Sequence, residues 1–168
     1  MTATKSMIHR PLLALLCGLP GSGKTTTARR RARETGAIRF STDEWMADLG
    51  VDFFDPIRVN LQRRLDQLWK ELLEHRQNVI LEDGTWRREE RDEIRRIAVV
   101  LGATTEFHYF DIPLEELSRR LEARNSAAPY GAAPITSEVL NESRRRLEIP
   151  DASELALFDR VILHSSPA

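Results

Sequence analysis

The sequence predicts an α/β fold on a parallel sheet, and three observations predict it. Short apolar runs of strand length alternate with stretches of helical periodicity along the whole chain. A glycine-rich turn joins the first apolar run to the first helical stretch. No internal repeat or low-complexity segment breaks the alternation. At 168 residues, 41% hydrophobic and 30% charged, the chain suits a single domain, 1–168, with one buried core.

The elements follow in order. Leu12–Cys17 reads as a buried strand ending in glycine. A helix from Lys24 to about Thr35 has Gly36 as its C-terminal cap, and Ala37–Phe40 is a second short strand. Ser41 with Glu44 forms a capping box that opens another helix. Beyond the break at Gly50–Pro56, Ile57, Leu61, Leu65, Leu68 and Leu72 mark one apolar helical stripe. Asn78–Leu81 is the third strand. A helix over Arg88–Leu101 presents Ile94, Ile97, Ala98 and Leu101, and stops at Gly102. Thr104–Phe110 is the fourth strand, and Pro113 opens a helix carrying Leu114, Leu117 and Leu121. The small, Pro/Gly-rich stretch from Ser126 to Pro134 predicts a loop. A helix over Ser137–Leu147, a short one over Asp151–Leu157 and a strand at Val161–Leu163 close the chain.

Composition limits the function classes. Lys+Arg is 25 and Asp+Glu is 26, a net charge of −1, which disfavours binding long nucleic acid by bulk charge. Cys17 is the one cysteine, so a reducing, cytoplasmic setting is expected. The run Leu12–Leu16 is too short to span a membrane, and no membrane association is expected.

Gly18-Leu-Pro-Gly-Ser-Gly-Lys-Thr25 fits the pattern G-x-x-x-x-G-K-[ST] in the strand-to-helix context that pattern requires. Glycines let successive backbone N–H groups turn inward, so the loop and the helix N-terminus together cradle phosphate oxygens. Gly18, Pro20, Gly21, Ser22, Gly23, Lys24, Thr25 and Thr26 are the expected nucleotide contacts. Lys24 would reach the β- and γ-phosphates, and the Thr25 hydroxyl would serve Mg²⁺. An Asn-Lys-x-Asp guanine-reading motif is absent from the sequence, so a GTPase switch is not expected.

Two acidic positions follow strands, at the sheet edge where ligands of parallel sheets bind. Asp43 either takes the proton of an attacking hydroxyl or only favours the first turn of its helix. Asp83 is the candidate metal-side acid, with Glu82 the competing choice. Strand alternation predicts that only one of the two faces the site. Asp83, before Gly84, is otherwise a turn residue.

Arg120 and Arg124 share a helical face leading into the 124–134 stretch, the candidate flap. They either clamp a transferring phosphate or form a solvated face with Glu115, Glu116 and Glu122. Arg87, Arg88 and Arg91 and the run Arg144–Arg146 are ambiguous between solvated faces and nucleotide contacts. Trp45, Phe53, Phe54 and Trp86 either line an acceptor pocket or pack the core. His108 is read as structural.

Together the phosphate loop, Ser41-Thr-Asp43, Glu82-Asp-Gly-Thr85 and Phe110–Arg120 with Arg124 resemble the zeta-toxin-like and polynucleotide-kinase-like P-loop kinases. The resemblance covers roughly residues 12–150. It implies a P-loop NTPase, adenylate-kinase-like α/β/α core with a five-stranded parallel sheet and a short lid, about 120–136. It also implies Mg²⁺-ATP as donor, Asp43 as general base, and Arg120 and Arg124 as lid arginines. The polynucleotide kinases tend to place an arginine three residues after the base; Met46 stands there in this chain, so nucleic acid is again disfavoured. The leading expectation is transfer of the γ-phosphate to the hydroxyl of a small-molecule acceptor. The alternatives are a polynucleotide 5′-hydroxyl or nucleotide-sugar kinase, and a regulatory module that binds ATP without transfer.

Overall fold

The computed structural model describes residues 10–52, 55–127 and 134–165. Five strands, β1 (Leu12–Gly18), β2 (Ile38–Phe40), β3 (Val79–Gly84), β4 (Thr104–Asp111) and β5 (Arg160–Ser165), form one sheet in the order β2-β3-β1-β4-β5. Every pairing is parallel. Strand β1 lies at the centre and is buried on both faces, which is why it reads as an unbroken apolar run. Its side chains still alternate: Leu13, Leu15 and Cys17 join the larger core, Ala14 and Leu16 the smaller one on the opposite face.

Helix α1 (Lys24–Thr35) places Ala28 in the smaller core. The larger core takes Leu65, Trp69 and Leu73 of α3 (Ile57–Glu74) and Ala98 of α4 (Arg88–Val100). It also takes Leu117 and Leu121 of α5 (Leu114–Ala127) and Leu140 of α6 (Ser137–Arg146). This is the three-layer α/β/α arrangement expected from the alternating pattern. Two short helices complete it, α2 (Thr42–Asp48) and α7 (Ala152–Leu155).

Three sequence expectations shift. The buried face of α3 is turned toward Leu65, Trp69 and Leu73, leaving Ile57 and Leu68 on the surface; the bulk of Trp69 decides the orientation. Helix α5 runs through Ser126 to Ala127, past the predicted loop start. Asn125 joins the two ends of the candidate flap: its Nδ2 donates to the Ile135 carbonyl at 2.8 Å and its Oδ1 accepts from the Ile135 amide at 3.2 Å. The rest of the flap, 128–133, lies outside the described residues. Finally, β3 continues through Glu82 and Asp83 to Gly84, so neither acid lies beyond the strand.

That last shift carries a consequence for the site. Leu15 pairs with Leu81, but Cys17 pairs with Gly84, so β3 carries one extra residue opposite β1. Such a bulge breaks the two-residue alternation of side chains. Glu82 and Asp83 therefore both line the same cleft, where alternation predicts one.

Candidate active site

The C-terminal edge of the sheet opens into a cleft of about 720 Å³. Its donor side is the glycine-rich loop: Pro20, Gly21, Ser22, Gly23, Lys24, Thr25 and Thr26 all line it. Gly18 ends β1 just beneath. The backbone conformation at Gly23, φ 98°, is one that residues with a Cβ rarely adopt, and it turns the chain into α1. Gly21, also at positive φ, lies against Leu121 of α5, 3.0 Å from where a Cβ would sit. The loop is thus wedged between its own helix and α5.

Lys24 donates to the carbonyls of Gly18 at 3.0 Å and Leu19 at 2.9 Å. Burial pushes its ammonium down to about 8, against the opposing pull of Cys17, Asp43, Glu82 and Asp83. Trp86 donates its indole N–H to the Gly18 carbonyl at 3.2 Å and lines the cleft. Cys17 is buried, its thiol pushed up to about 11 by desolvation, as befits a packing residue rather than a nucleophile.

Facing the loop, α2 supplies Asp43, Glu44 and Asp48. The Ser41 hydroxyl caps this helix by accepting from the Glu44 amide at 3.4 Å. The Glu44 carboxylate goes to Arg29 at 2.7 Å and Arg39 at 3.0 Å. Asp83 makes the second anchor. Its two oxygens accept from the Thr42 amide and the Thr42 hydroxyl, each at 2.7 Å, and this ties the first turn of α2 to β3. Burial pushes Asp83 up to about 6 while the Thr42 bonds oppose the shift. Arg39 donates to Glu82 at 2.6 Å, and Glu82, almost wholly buried, is pushed up by desolvation. Its Oε2 has no hydrogen-bond partner.

Asp43 itself accepts from Nη2 of Arg58 at 2.8 Å. Arg58, on the first turn of α3, went unnoticed in the sequence. It has no motif, and it brings its charge to the site only through the packing of α3 against α2. The two lid candidates separate. Arg124 lines the cleft; burial pushes its guanidinium down, against the pull of the Asp43 carboxylate. Arg120 is not among the lining residues and donates to Glu116 one turn back, at 2.6 Å. The wall above the loop is completed by Ile135, Val139 and Ser143.

Other described candidates fall outside the cleft. Trp45 is partly exposed and is not among the lining residues; Phe53 and Phe54 lie outside the described residues. Arg145 and Arg146 pair with Glu142. His108 is buried between Glu106 and His164, at 2.7 and 2.8 Å, in the structural role expected of it. Arg91 is fully buried, and its role is also structural. It binds Glu154 and the carbonyls of Thr85, Trp86 and Glu148.

A five-stranded parallel sheet carrying this loop at the head of α1 defines a P-loop nucleotide-binding fold of the kinase type. The chain belongs to the AAA domain family: the family model so described (AAA_33) matches residues 13–150. Among solved structures it is similar to a chain of the Pnkp1/Rnl/Hen1 RNA repair complex, with 26% identity and a TM-score of 0.69 over 87% of this chain and 47% of that one. It is similar to a gluconokinase from Sinorhizobium meliloti 1021, with 20% identity and a TM-score of 0.61 over 94% and 83% of the two chains. It is similar, too, to the Mycobacterium tuberculosis APS kinase CysC in complex with AMPPNP and APS, with 21% identity and a TM-score of 0.57 over 92% and 88%. The chain spans about half the length of the RNA repair protein it matches. No curated protein matches the sequence significantly. Among the described residues, no helix is long and apolar enough to cross a membrane.

Proposed function

We propose that this protein is an ATP-dependent phosphotransferase that moves the γ-phosphate of Mg²⁺-ATP to a hydroxyl of a small-molecule acceptor. The observation that carries this reading is the position of Asp43. It shares one cleft with Lys24 and Arg124, across from the phosphate loop. In the step proposed, the acceptor oxygen bonds to the γ-phosphorus as the bond to the β–γ bridging oxygen breaks. ADP departs with that oxygen, and the hydroxyl proton passes to the Asp43 carboxylate. Lys24 and the loop amides hold the donor phosphates. Arg124 answers the charge on the transferring group, with Arg120 one turn away on the same helix.

The residues suit Mg²⁺. Among the described residues no group of three or more His, Cys, Asp or Glu side chains could form a protein cage. Mg²⁺ keeps its waters and prefers a few protein oxygens beside substrate phosphates. The Thr25 hydroxyl, with Asp83 or the partnerless Oε2 of Glu82, offers those oxygens. When bound, the ion neutralises charge on the β- and γ-phosphates. The buried single cysteine fits a cytoplasmic setting.

The test is acceptor-stimulated ADP release with ATP and Mg²⁺ over sugars, nucleosides, aminoglycoside and phenicol antibiotics and 5′-hydroxyl oligonucleotides. Asp43→Ala should lower the stimulated rate about 10²–10⁴-fold and leave ATP binding intact. A variant that behaves like the parent chain removes the general base and favours a regulatory nucleotide-binding module. The oligonucleotide arm tests a second reading, a 5′-hydroxyl kinase, which the likeness to the RNA repair protein favours and the net charge of −1 does not.

A further inference from the structure

Among the described residues, one aromatic side chain lines the cleft, that of Trp86. It stands on the connection between β3 and α4, on the side of β1 where β2 leads into α2 and Asp43. The residue is held at three points. Its indole N–H donates to the Gly18 carbonyl at 3.2 Å. Its own carbonyl accepts from Nη1 of the buried Arg91 and from the Glu148 amide, each at 2.9 Å. The backbone leaves room for the ring: Gly84 takes φ 90°, and a Cβ there would lie 3.0 Å from the indole nitrogen.

The ring differs chemically from what surrounds it. Most of the lining on the Asp43 side is charged: Glu44 and Asp48 on α2, Arg58 on α3, Glu82 and Asp83 on β3. Trp86 is joined in the lining by Ile135 and Val139, and all three belong to the larger core or pack against it. An indole has one polar atom, a donor, and the Gly18 carbonyl already takes it. What Trp86 offers the cleft is therefore π surface. A polyol laid on that surface gives up water and gains no hydrogen bond there. An aromatic ring laid on it removes apolar area from water on both partners and adds a stacking contact. A side chain already fastened at three points loses little freedom when it is covered.

We propose that the acceptor carries an aromatic or heteroaromatic ring that seats on Trp86 and presents its hydroxyl to Asp43. This rests on the phosphotransferase reading and deepens it: Trp86 selects the acceptor by its ring, and Asp43 acts on its hydroxyl. The competing role is fastening alone, in which the indole only ties the foot of the phosphate loop to the β3–α4 connection. The two roles use different parts of one side chain, the N–H for fastening and the flat face for selection, so substitution separates them.

The experiment uses acceptor pairs that share a sugar and differ in the ring, with the full chain, ATP and Mg²⁺: adenosine against methyl β-D-ribofuranoside, and phenyl against methyl β-D-glucopyranoside. kcat and KM for each acceptor, and KM for ATP, are measured for the parent chain, Trp86→Phe, Trp86→Leu and Trp86→Met, each checked by thermal melting. The expected result is a preference of about tenfold or more in kcat/KM for the ring-bearing member of at least one pair. Trp86→Phe keeps a flat ring and loses the N–H, so the KM for ATP should rise about fivefold while most of the preference stays. Trp86→Leu and Trp86→Met keep apolar bulk without the flat face, and in either the preference should fall toward one. Equal use of both members of each pair by the parent chain would overturn the proposal and leave the kinase reading standing. So would a ring preference that survives in the two ringless variants while only their KM for ATP moves, the mark of fastening alone. ATP binding without turnover of any acceptor would overturn both.

Discussion

The two walls of the cleft are built on different principles. The donor wall is backbone: glycines at positive φ, loop amides and the start of α1, wedged by Leu121. The acceptor wall is side chain. Helix α2 hangs from β3 through the Asp83–Thr42 clasp and the Arg39–Glu82–Glu44 bridge, and Asp43 is steadied by Arg58. A backbone cradle fits any nucleoside triphosphate, because every phosphate tail is alike. A wall of ion pairs can be rewritten one residue at a time, so acceptor choice can change while the donor site stays fixed.

The comparison can be broken on either side. The largest effect is expected from Arg39→Ala. It leaves Glu82, with a side chain 2% exposed, without its cation, at a cost of about 3 kcal/mol. That loss reads as a melting temperature lower by about 10 °C. Acceptor-dependent turnover should fall while nucleotide affinity, measured by calorimetry, holds. Gly23→Ala strikes the other wall. Nothing lies within 4 Å of the added Cβ, so the penalty is conformational, about 1–2 kcal/mol. ATP should bind about tenfold more weakly, with acceptor KM little changed. Thr42→Val keeps the shape and removes the hydroxyl that bonds Asp83 at 2.7 Å and Gln62 at 2.6 Å. It should cost about 1 kcal/mol and raise acceptor KM. Should it weaken ATP binding instead, the two walls would not be separable.

The same contrast explains what was legible in the sequence. The sheet, α1 and the donor loop were readable because local chemistry fixes them: an apolar run, then glycines, then Lys24-Thr25. The position of Asp43 near a strand end was readable for the same reason. The partnership of Asp43 with Arg58, fifteen residues on, was not, because it depends on how two separate helices pack. The joint presence of Glu82 and Asp83 was hidden by a bulge that alternation does not foresee. Arg120 and Arg124 look equivalent by spacing, yet Glu116 turns Arg120 back along the helix. Arg91 stands among charged neighbours that suggest a solvated face, and only the arrival of Glu154 makes its burial tolerable.

That arrival bears on the order of events during synthesis. Arg91 holds the carbonyls of Thr85 and Trp86, and Trp86 in turn holds Gly18 at the foot of the phosphate loop. The counter-ion of this guanidinium comes more than sixty residues later, on Glu154. A nascent chain that has already made its phosphate loop, Asp43 and Arg124 still lacks the anion that lets Arg91 sink beneath them. The phosphate loop is therefore closed from below by a segment made more than sixty residues after Arg91, and a chain interrupted between the two carries the motif without the floor on which it rests.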